Sequence, residues 1–205
     1  MPWLTRFVVT RTNFADKDFV CLKAHKNLTY LTFESCEING DGLVHIAGLA
    51  KLERLSFLQT QVSDQTLMHV SRLKALKRLS LGETPTTDRG LETLRDLSSL
   101  ESIDLVRTAI TDDGLRHLAH FPILKHLNID DRRITAAGIR ALVEAEALEV
   151  LVLPNADVTA HGIAELRRLP EIRSITLPAG ITEAEVERLR ETFEGSTCIQ
   201  RFRNP

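Results

Sequence analysis

The chain has 205 residues, a formal net charge of −2 at pH 7 and a pI of about 6.4. This balance gives no support to nucleic-acid binding or to attraction by a membrane surface, and no stretch approaches the ~20 apolar residues of a spanning helix. Hydrophobic residues make up 43% of the sequence, which is ample for a core, although aromatic residues make up only 5%.

The amino-terminal residues and the cysteines predict a cytoplasmic protein. Between Met1 and Arg6 there is no basic region followed by an apolar run, so we expect no signal peptide. Cys198 is far along the chain from Cys21 and Cys36, and the latter two are expected on different walls of the fold. Few, scattered cysteines are typical of reduced, intracellular proteins.

Leucine-rich segments recur every 24 residues and account for nearly the whole chain. From each starting residue, apolar residues stand three and five places on, as in Leu52, Leu55 and Phe57. Alternating apolar and polar residues predict a strand. The unbroken register predicts a single domain over residues 1–205. The starting residues, counted below as plus zero, are Leu4, Leu28, Leu52, Leu76, Leu100, Leu124, Leu148 and Ile172.

The second half of each unit predicts a short helix. Apolar residues recur at plus fifteen, eighteen and twenty-one, which is helical spacing. Asp88 lies where negative charge suits a helix N-terminus, and Gly90 and Gly114 lie at expected close contacts between stacked helices. Hydroxyl side chains that can cap the first free N–H groups precede the helices: Ser63, Thr87, Thr111, Thr135 and Thr159.

One strand and one short helix cannot bury an apolar side alone, but stacked copies can. The pattern therefore predicts a right-handed α/β solenoid of about eight units. The helical layer is thicker than the strand layer, so the parallel sheet should lie on the concave face and the helices on the convex face.

These units resemble the leucine-rich repeat family, whose strand signature L-x-x-L-x-L-x-x-N/C-x-L is matched from Leu28 to Ile38. The segment Ile110–Leu115 is similar to the ribonuclease-inhibitor-like and cysteine-containing subclasses. The resemblance covers roughly residues 4–193. It implies a horseshoe used for protein–protein recognition, without catalytic residues. Threonine replaces the family's Asn or Cys at plus eight in most units, so we expect a polar ladder of hydroxyls and water, interrupted from Arg132 onward.

The carboxyl-terminal segment predicts a cap over residues 182–205. Thr182 and Glu185 have the spacing of a capping box at the start of a charged amphipathic helix. Gly195 can end that helix, and the residues from Cys198 to Phe202 can add a last strand.

The amino-terminal unit predicts an apolar edge. Val8, Phe14 and Phe19 should face the open end of the stack, where an edge strand invites pairing. A homodimer, or a partner docked on this end, is one hypothesis. The alternative is that Pro2 and Trp3 fold over the edge.

The expected concave face carries three zones. Tyr30, Arg54, Leu58 and Arg78 form a basic and partly apolar zone, and aromatic and arginine side chains are frequent interface anchors. An acidic centre and an apolar zone follow along the sheet. The residues predicted to bind a partner are Tyr30, Arg54, Leu58, Arg78, Asp104, Val106, His126, Asn128, Asp130, Val150 and Val152, with Pro154 and Pro178 extending the apolar zone. The alternative is an ordinary solvated face with scattered apolar residues.

Two chemical alternatives remain at the centre of the sheet. Ser102, His126 and Asp104 superficially suggest a nucleophile, a base and an orienting acid. An open sheet offers no oxyanion hole and does not exclude water, so we predict no enzyme, no cofactor and no catalytic residue. The oxygens of Asp104, Asp130 and Asp131 could hold a hard cation. The Arg107, Arg132 and Arg133 side chains could equally neutralise this centre.

The sequence therefore predicts a cytoplasmic, non-catalytic module that binds another protein through its concave sheet, with neither nucleic acid nor membrane as a partner. A structural subunit that docks or dimerises through the amino-terminal unit is the alternative. A cation-binding or hydrolytic site is a remote one.

Overall fold

The computed structural model describes residues 3–156, 158–193 and 197–202. Within these ranges nine parallel strands form one sheet in chain order. The strands are β1 (Arg6–Thr10), β2 (Tyr30–Glu34), β3 (Arg54–Ser56), β4 (Arg78–Ser80), β5 (Ser102–Asp104), β6 (His126–Asn128), β7 (Val150–Val152), β8 (Ser174–Leu177) and β9 (Cys198–Arg201). Paired residues lie 24 positions apart, as in Leu31–Leu55 and Leu55–Leu79, and β9 is the predicted last strand.

Short helices connect consecutive strands and form the opposite wall. The α-helices are α1 (Asp64–Val70), α2 (Asp88–Thr93), α3 (Asp112–Leu115), α4 (Ala136–Ala141), α5 (Ala160–Ala164) and α6 (Glu183–Thr192). Tighter 3-10 turns occupy Asp16–Leu22, Asp41–His45, Arg116–His120, Leu142–Glu144 and Glu165–Arg168. The first two units therefore contain 3-10 helices. None of the helices described here is long and apolar enough to cross a membrane.

The core is one continuous stack between the sheet and the helices. The plus-three and plus-five side chains of the strands point into it, so Leu55 is 2% exposed and Phe57 is fully buried. Leu91, Leu94 and Leu97 reach it from the helical wall and are also fully buried. The two-residue and three-residue periods of the sequence thus meet in the same core.

Phenylalanine side chains form a cluster in the core of the first three units. Phe33 is fully buried, and its ring centroid lies 4.8 Å from that of Phe19, 5.3 Å from that of Phe14 and 5.8 Å from that of Phe57. The Phe7 ring lies 5.8 Å from Phe14 and 6.4 Å from Phe33. The few aromatic residues of the chain are therefore concentrated at this end of the stack, and aromatic contacts of this kind add to the burial of area.

Aspartate side chains connect α1 to α2, α2 to α3 and α3 to α4. Asp88 Oδ1 accepts a hydrogen bond from the Thr111 amide at 2.8 Å, and Asp88 Oδ2 accepts one from the Thr111 hydroxyl at 2.7 Å. The same two bonds join Asp64 to Thr87 and Asp112 to Thr135. Each of these aspartates lies in the first turn of its own helix, as predicted for Asp88. Their side chains also satisfy polar groups of the next unit.

The helix caps follow the prediction at most positions. The hydroxyls of Thr87, Thr111 and Thr135 accept backbone hydrogen bonds from their own helices, and Thr159 caps α5. Ser63 makes no such bond, although it stands at the same offset.

The capping box at the start of α6 is confirmed. Glu185 N–H donates to the Thr182 hydroxyl at 3.3 Å, and the Thr182 amide donates to the Glu185 carboxylate at 2.9 Å. The predicted end of this helix at Gly195 lies outside the described residues.

The plus-eight threonines act within their own units. The buried hydroxyls of Thr60, Thr84 and Thr108 each donate to a carbonyl three residues earlier, at 2.9, 2.6 and 2.8 Å. At the same offset in the first two units, Thr12 Oγ1 lies 4.0 Å from Cys36 Sγ, a contact between units. The hydroxyls of Thr60, Thr84 and Thr108 instead stabilise the ends of their own strands.

Charges of alternating sign line the start of the strands, at plus one. Lys77 lies 3.0 Å from Glu53, while Glu149 lies 2.8 Å from Lys125 and 3.6 Å from Arg173. The pKa of Glu149 is lowered, mainly because Lys125 donates a hydrogen bond to it, and the pKa of Lys125 is raised by the same bond. These pairs neutralise charges that would otherwise repel one another across neighbouring strands.

We expect the Glu149 pairs to make stability depend on pH on the acid side. A carboxyl group with a lowered folded-state pKa stabilises the fold fully above its unfolded-state value, roughly 4.3. That contribution is lost as the pH falls through the folded-state pKa. Urea unfolding between pH 7 and pH 3 should therefore show a shallower acid decline in Glu149→Gln. The same substitution at exposed Glu146 is the control, and equal acid declines in all three proteins would contradict the expectation.

Candidate partner-binding face

The outer face of the sheet is built by the plus-two and plus-four residues of each strand. Because side chains alternate along a strand, these positions point away from the core whenever plus three points into it. On β3, for example, Arg54 is exposed and Ser56 is half-buried, whereas Leu55 between them is buried. The same pattern holds in every strand from β2 to β8.

A shallow groove of about 230 Å³ runs across β2 to β5 on this face. It brings together Tyr30, Arg54 and Arg78 of the predicted basic zone and adds Asp104 from the predicted acidic centre. Leu58, the fourth member of that predicted zone, does not line the groove. The hydroxyl-bearing residues Thr32, Ser56 and Ser80 line it alongside. The groove is therefore basic at one end, polar along its floor and acidic at the other end.

The groove arginines have no carboxylate partners in the described structure. Arg54 and Arg78 are directly paired in register on neighbouring strands, and neither forms an ion pair with any described residue. The Arg6 guanidinium lies 4.4 Å from the centre of the Tyr30 ring, in a cation–π contact. Positive charge thus accumulates along the plus-two positions of β1 to β4.

The carboxylates of the acidic centre already accept hydrogen bonds from neighbouring side chains of the protein. Asp131 accepts from Arg133 Nε at 2.9 Å and Arg133 Nη2 at 2.5 Å. The pKa of Asp131 is lowered, mainly by these side-chain hydrogen bonds. Asp130 accepts a hydrogen bond from the Asn155 amide, and Asp104 Oδ2 accepts one from the Ser80 hydroxyl at 3.1 Å. Of the three arginines expected to neutralise this centre, Arg133 does so.

The described residues gather no cluster of metal-ligating side chains, so the cation hypothesis gains no support from the three aspartates. Ser102 and His126 are neighbours in the sheet register. No hydrogen bond joins them in the described structure, and the carboxylate of Asp104 is bonded to Ser80 instead. The arrangement needed to activate a serine hydroxyl is therefore not formed.

The predicted apolar zone is smaller than expected. Val150 and Val152 are half-buried on β7, but Pro154 and Pro178 are buried. Leu58 and Val106 share the plus-six offset of these prolines and are half-buried. His126 is exposed on β6, and Asn128 on the same strand has a buried side-chain oxygen with no hydrogen-bond partner among the described residues.

The residues predicted at the amino-terminal edge differ in exposure. Val8 is 54% exposed on β1, and Phe14 is half-buried in the aromatic cluster. Phe19 is fully buried beneath Phe14, with ring centroids 5.3 Å apart, so its side chain is not available to a partner. Trp3 is 70% exposed and does not cover the edge as the alternative required. Pro2 lies outside the described residues.

Known protein families and solved structures include several that are similar to this chain. The family model described as a leucine-rich repeat matches residues 96–119. The chain has a leucine-rich-repeat fold. Its fold is similar to that of internalin C2 from Listeria monocytogenes, with a TM-score of 0.74 and 18% identity over 97% of this chain and 80% of that one. A second internalin from that species aligns over 98% of this chain and 88% of its own, with 15% identity and a TM-score of 0.49. No curated protein matches the sequence.

The rim of the repeats carries a feature that the sequence reasoning missed. The plus-seven residues of the first five units adopt left-handed backbone angles, with φ between 51° and 55°, although none is glycine: Arg11, Ser35, Gln59, Glu83 and Arg107. Their side chains form a chain of contacts, with Ser35 donating to Gln59 at 2.6 Å and Gln59 donating to Glu83 at 2.9 Å. Glycine and asparagine usually mark this conformation, so residue type does not predict it at these five positions.

The helical wall of the first repeats carries an exposed apolar stripe, also missed. Val20, Val44 and Met68 occupy the same offset in consecutive units and are 57%, 51% and 50% exposed. The next units have Glu92 and Arg116 at that offset. The change from apolar to charged residues at plus sixteen is a sequence signal that could have identified the stripe.

Proposed function

We propose that this leucine-rich-repeat protein is a non-catalytic module that binds another protein through the concave face of its sheet. The observation that carries the proposal is the groove across β2 to β5. There Tyr30, Arg54 and Arg78 are held on neighbouring strands of one hydrogen-bonded sheet. Side chains fixed by a rigid scaffold lose little conformational freedom on binding. Aromatic and arginine residues are also the side chains most enriched among interface anchors.

The fold supports this proposal because every unit adds a further strand to the same face. Neighbouring strands lie ~4.8 Å apart, so a partner that spans several units contacts side chains from widely separated parts of the sequence. Binding by such a surface needs no chemistry and no cofactor. Cys21 and Cys198 are exposed free thiols, which agrees with a reducing, cytoplasmic location as part of the same proposal.

Partner capture tests the proposal directly. We expect immobilised wild-type protein to retain a specific partner from a lysate of its source, and Arg54→Glu with Arg78→Glu to lose it at least tenfold, since anchor substitutions each cost 2 kcal/mol or more. Arg72→Glu with Arg95→Glu is the matched control, because both residues are exposed but follow helices on the opposite wall. A partner retained equally by both double variants would contradict binding in the groove.

A second candidate is assembly through the amino-terminal repeat. It is favoured by Val8, which is 54% exposed on β1, a strand whose described neighbour is β2 alone. Light scattering of concentrated protein distinguishes the two functions. A dimer that Val8→Lys converts to a monomer would favour assembly through this edge, whereas a monomer in both proteins would leave the concave groove as the working surface.

A further inference from the structure

The groove differs in charge from the row of residues beside it on the same strands. At plus one, Glu53 and Lys77 alternate in sign and pair at 3.0 Å. At plus two, one residue further along, Arg54 and Arg78 have the same sign and are in register. Like charges directly opposite each other on neighbouring strands destabilise a sheet. The free protein therefore keeps an unfavourable pair of arginines at plus two. The Glu53–Lys77 pair at plus one shows that a carboxylate fits between these same two strands.

We infer that this groove binds an extended acidic segment of a partner protein, an inference that rests on the concave-face function proposed above. Carboxylates placed over Arg54 and Arg78 would relieve their repulsion and form charge-assisted, bidentate hydrogen bonds. The Thr32 and Ser56 hydroxyls line the same groove and can donate to the segment. The charge of the groove thus selects the chemistry of its occupant.

The plus-two residues of β1 to β4, which include Arg6, Arg54 and Arg78, form a basic row. The length of this row limits how many consecutive acidic residues of the partner segment it can bind. Arg6 on β1 and Arg78 on β4 are separated by three strand spacings, about 14 Å at ~4.8 Å each. An extended peptide rises ~3.3 Å per residue, so about four residues span the row. The Tyr30 ring, with Arg6 stacked on it at 4.4 Å, lies between the two ends and can pack against the stems of the acidic side chains.

The acidic end of the groove adds direction to the recognition. Asp104 follows Arg78 by one strand, and its carboxylate accepts hydrogen bonds from the Ser80 hydroxyl at 3.1 Å and the Val106 amide at 3.2 Å. No cation pairs with it among the described residues. An acidic run that extended over Asp104 would be repelled, whereas a lysine or arginine there would be attracted. The preferred segment has three or four acidic residues and then, after a short spacer, a basic one.

Fluorescence anisotropy with labelled peptides tests the inference. The probe is Glu-Glu-Asp-Glu-Gly-Lys, compared with a version carrying glutamines for the acidic residues and with the charge-inverted Lys-Lys-Arg-Lys-Gly-Glu. We expect the acidic peptide alone to bind wild-type protein, more weakly at 500 mM than at 50 mM salt. Arg54→Gln and Arg78→Gln should each weaken binding about tenfold, the loss of one charge-assisted contact, and Arg72→Gln should leave it unchanged.

The charge-reversed protein gives an independent result. Arg54→Glu with Arg78→Glu should bind the charge-inverted peptide in preference to the acidic one. The single glutamine variants should also unfold at a higher temperature than wild type in the absence of peptide, because the like-charge repulsion is removed. Circular dichroism confirms that each variant is folded before its binding is compared.

The possible outcomes separate this inference from the function on which it rests. Equal binding of all three peptides, or unchanged binding in Arg54→Gln and Arg78→Gln, overturns the acidic specificity. Binding confined to a phosphoserine version of the peptide also overturns it, because carboxylates would then not be the ligand. If partner capture is still lost in the groove double variant, the concave-face function stands without the acidic segment. If the groove double variant also captures the partner as well as wild type does, both the acidic specificity and the concave-face function are contradicted.

Discussion

Replacing Phe33 with alanine is expected to lower the free energy of unfolding by about 3–5 kcal/mol, the usual cost of deleting a fully buried phenylalanine ring. Phe33 is fully buried, and its ring is close to those of Phe7, Phe14, Phe19 and Phe57. The other four rings are fixed to separate parts of the first and third repeats, so they cannot collapse freely into the space left by the substitution. Urea unfolding followed by circular dichroism measures the loss.

Two comparison variants separate burial from ring-to-ring contact. Phe33→Leu keeps most of the volume and should cost less than about 1.5 kcal/mol if packing dominates. Phe14→Ala removes a half-buried ring of the same cluster and should cost less than Phe33→Ala, because less apolar area is lost from the core. A cost for Phe33→Ala below about 1 kcal/mol would be that of an ordinary substitution, and would show that the cluster does not hold the first repeats together.

The second large effect is expected at Gly114, where alanine should destabilise the protein by about 2–4 kcal/mol from crowding and a weakened hydrogen bond. A Cβ atom at this position would lie 2.2 Å from Asp88 Oδ1 and 2.9 Å from the Ile110 side chain. Asp88 cannot move away without weakening its hydrogen bonds to the Thr111 amide and hydroxyl. The direction of the stability change is informative, because alanine is otherwise favoured over glycine in a helix by about 1 kcal/mol.

The chain supplies its own control for this substitution. Gly162 occupies the equivalent position above Ala136, and a Cβ atom there would lie 3.0 Å from the Ala136 Cβ. Gly162→Ala should therefore cost much less than Gly114→Ala. In an Asp88→Ala background, which imitates the pairing of Ala136 with Gly162, the cost of Gly114→Ala should also fall. A double-mutant cycle by urea unfolding measures this coupling. No coupling would mean that the carboxylate is not the obstacle.

Much of the fold could be predicted because it repeats a local pattern. Leu31, Leu55 and Leu79 are buried and in register as their 24-residue spacing requires. The capping box at Thr182 and Glu185 forms because its two members are only three residues apart. Features of this kind depend on neighbours within one unit, where periodicity and side-chain type decide the conformation.

The groove could be predicted only in part. Tyr30, Arg54 and Arg78 were placed together because residues at one offset stack along the sheet, and the structure brings them into one groove. The inclusion of Asp104 was not foreseen, since it was assigned to a separate acidic centre. Nor could the sequence show which charges are already paired. Arg133 is engaged by Asp131, whereas Arg54 and Arg78 are free of such partners within the described residues.

The sequence by itself determined the repeating unit, the strand order and the faces of the elements, because a two-residue or three-residue period decides which side chains are buried. Only the tertiary structure decided where the polar groups between units point. The Asp88 carboxylate bonds to Thr111, 23 positions away, and Glu83 adopts a left-handed backbone that its residue type does not favour. These choices depend on the distances between stacked units, and local residue preferences carry no information about such distances.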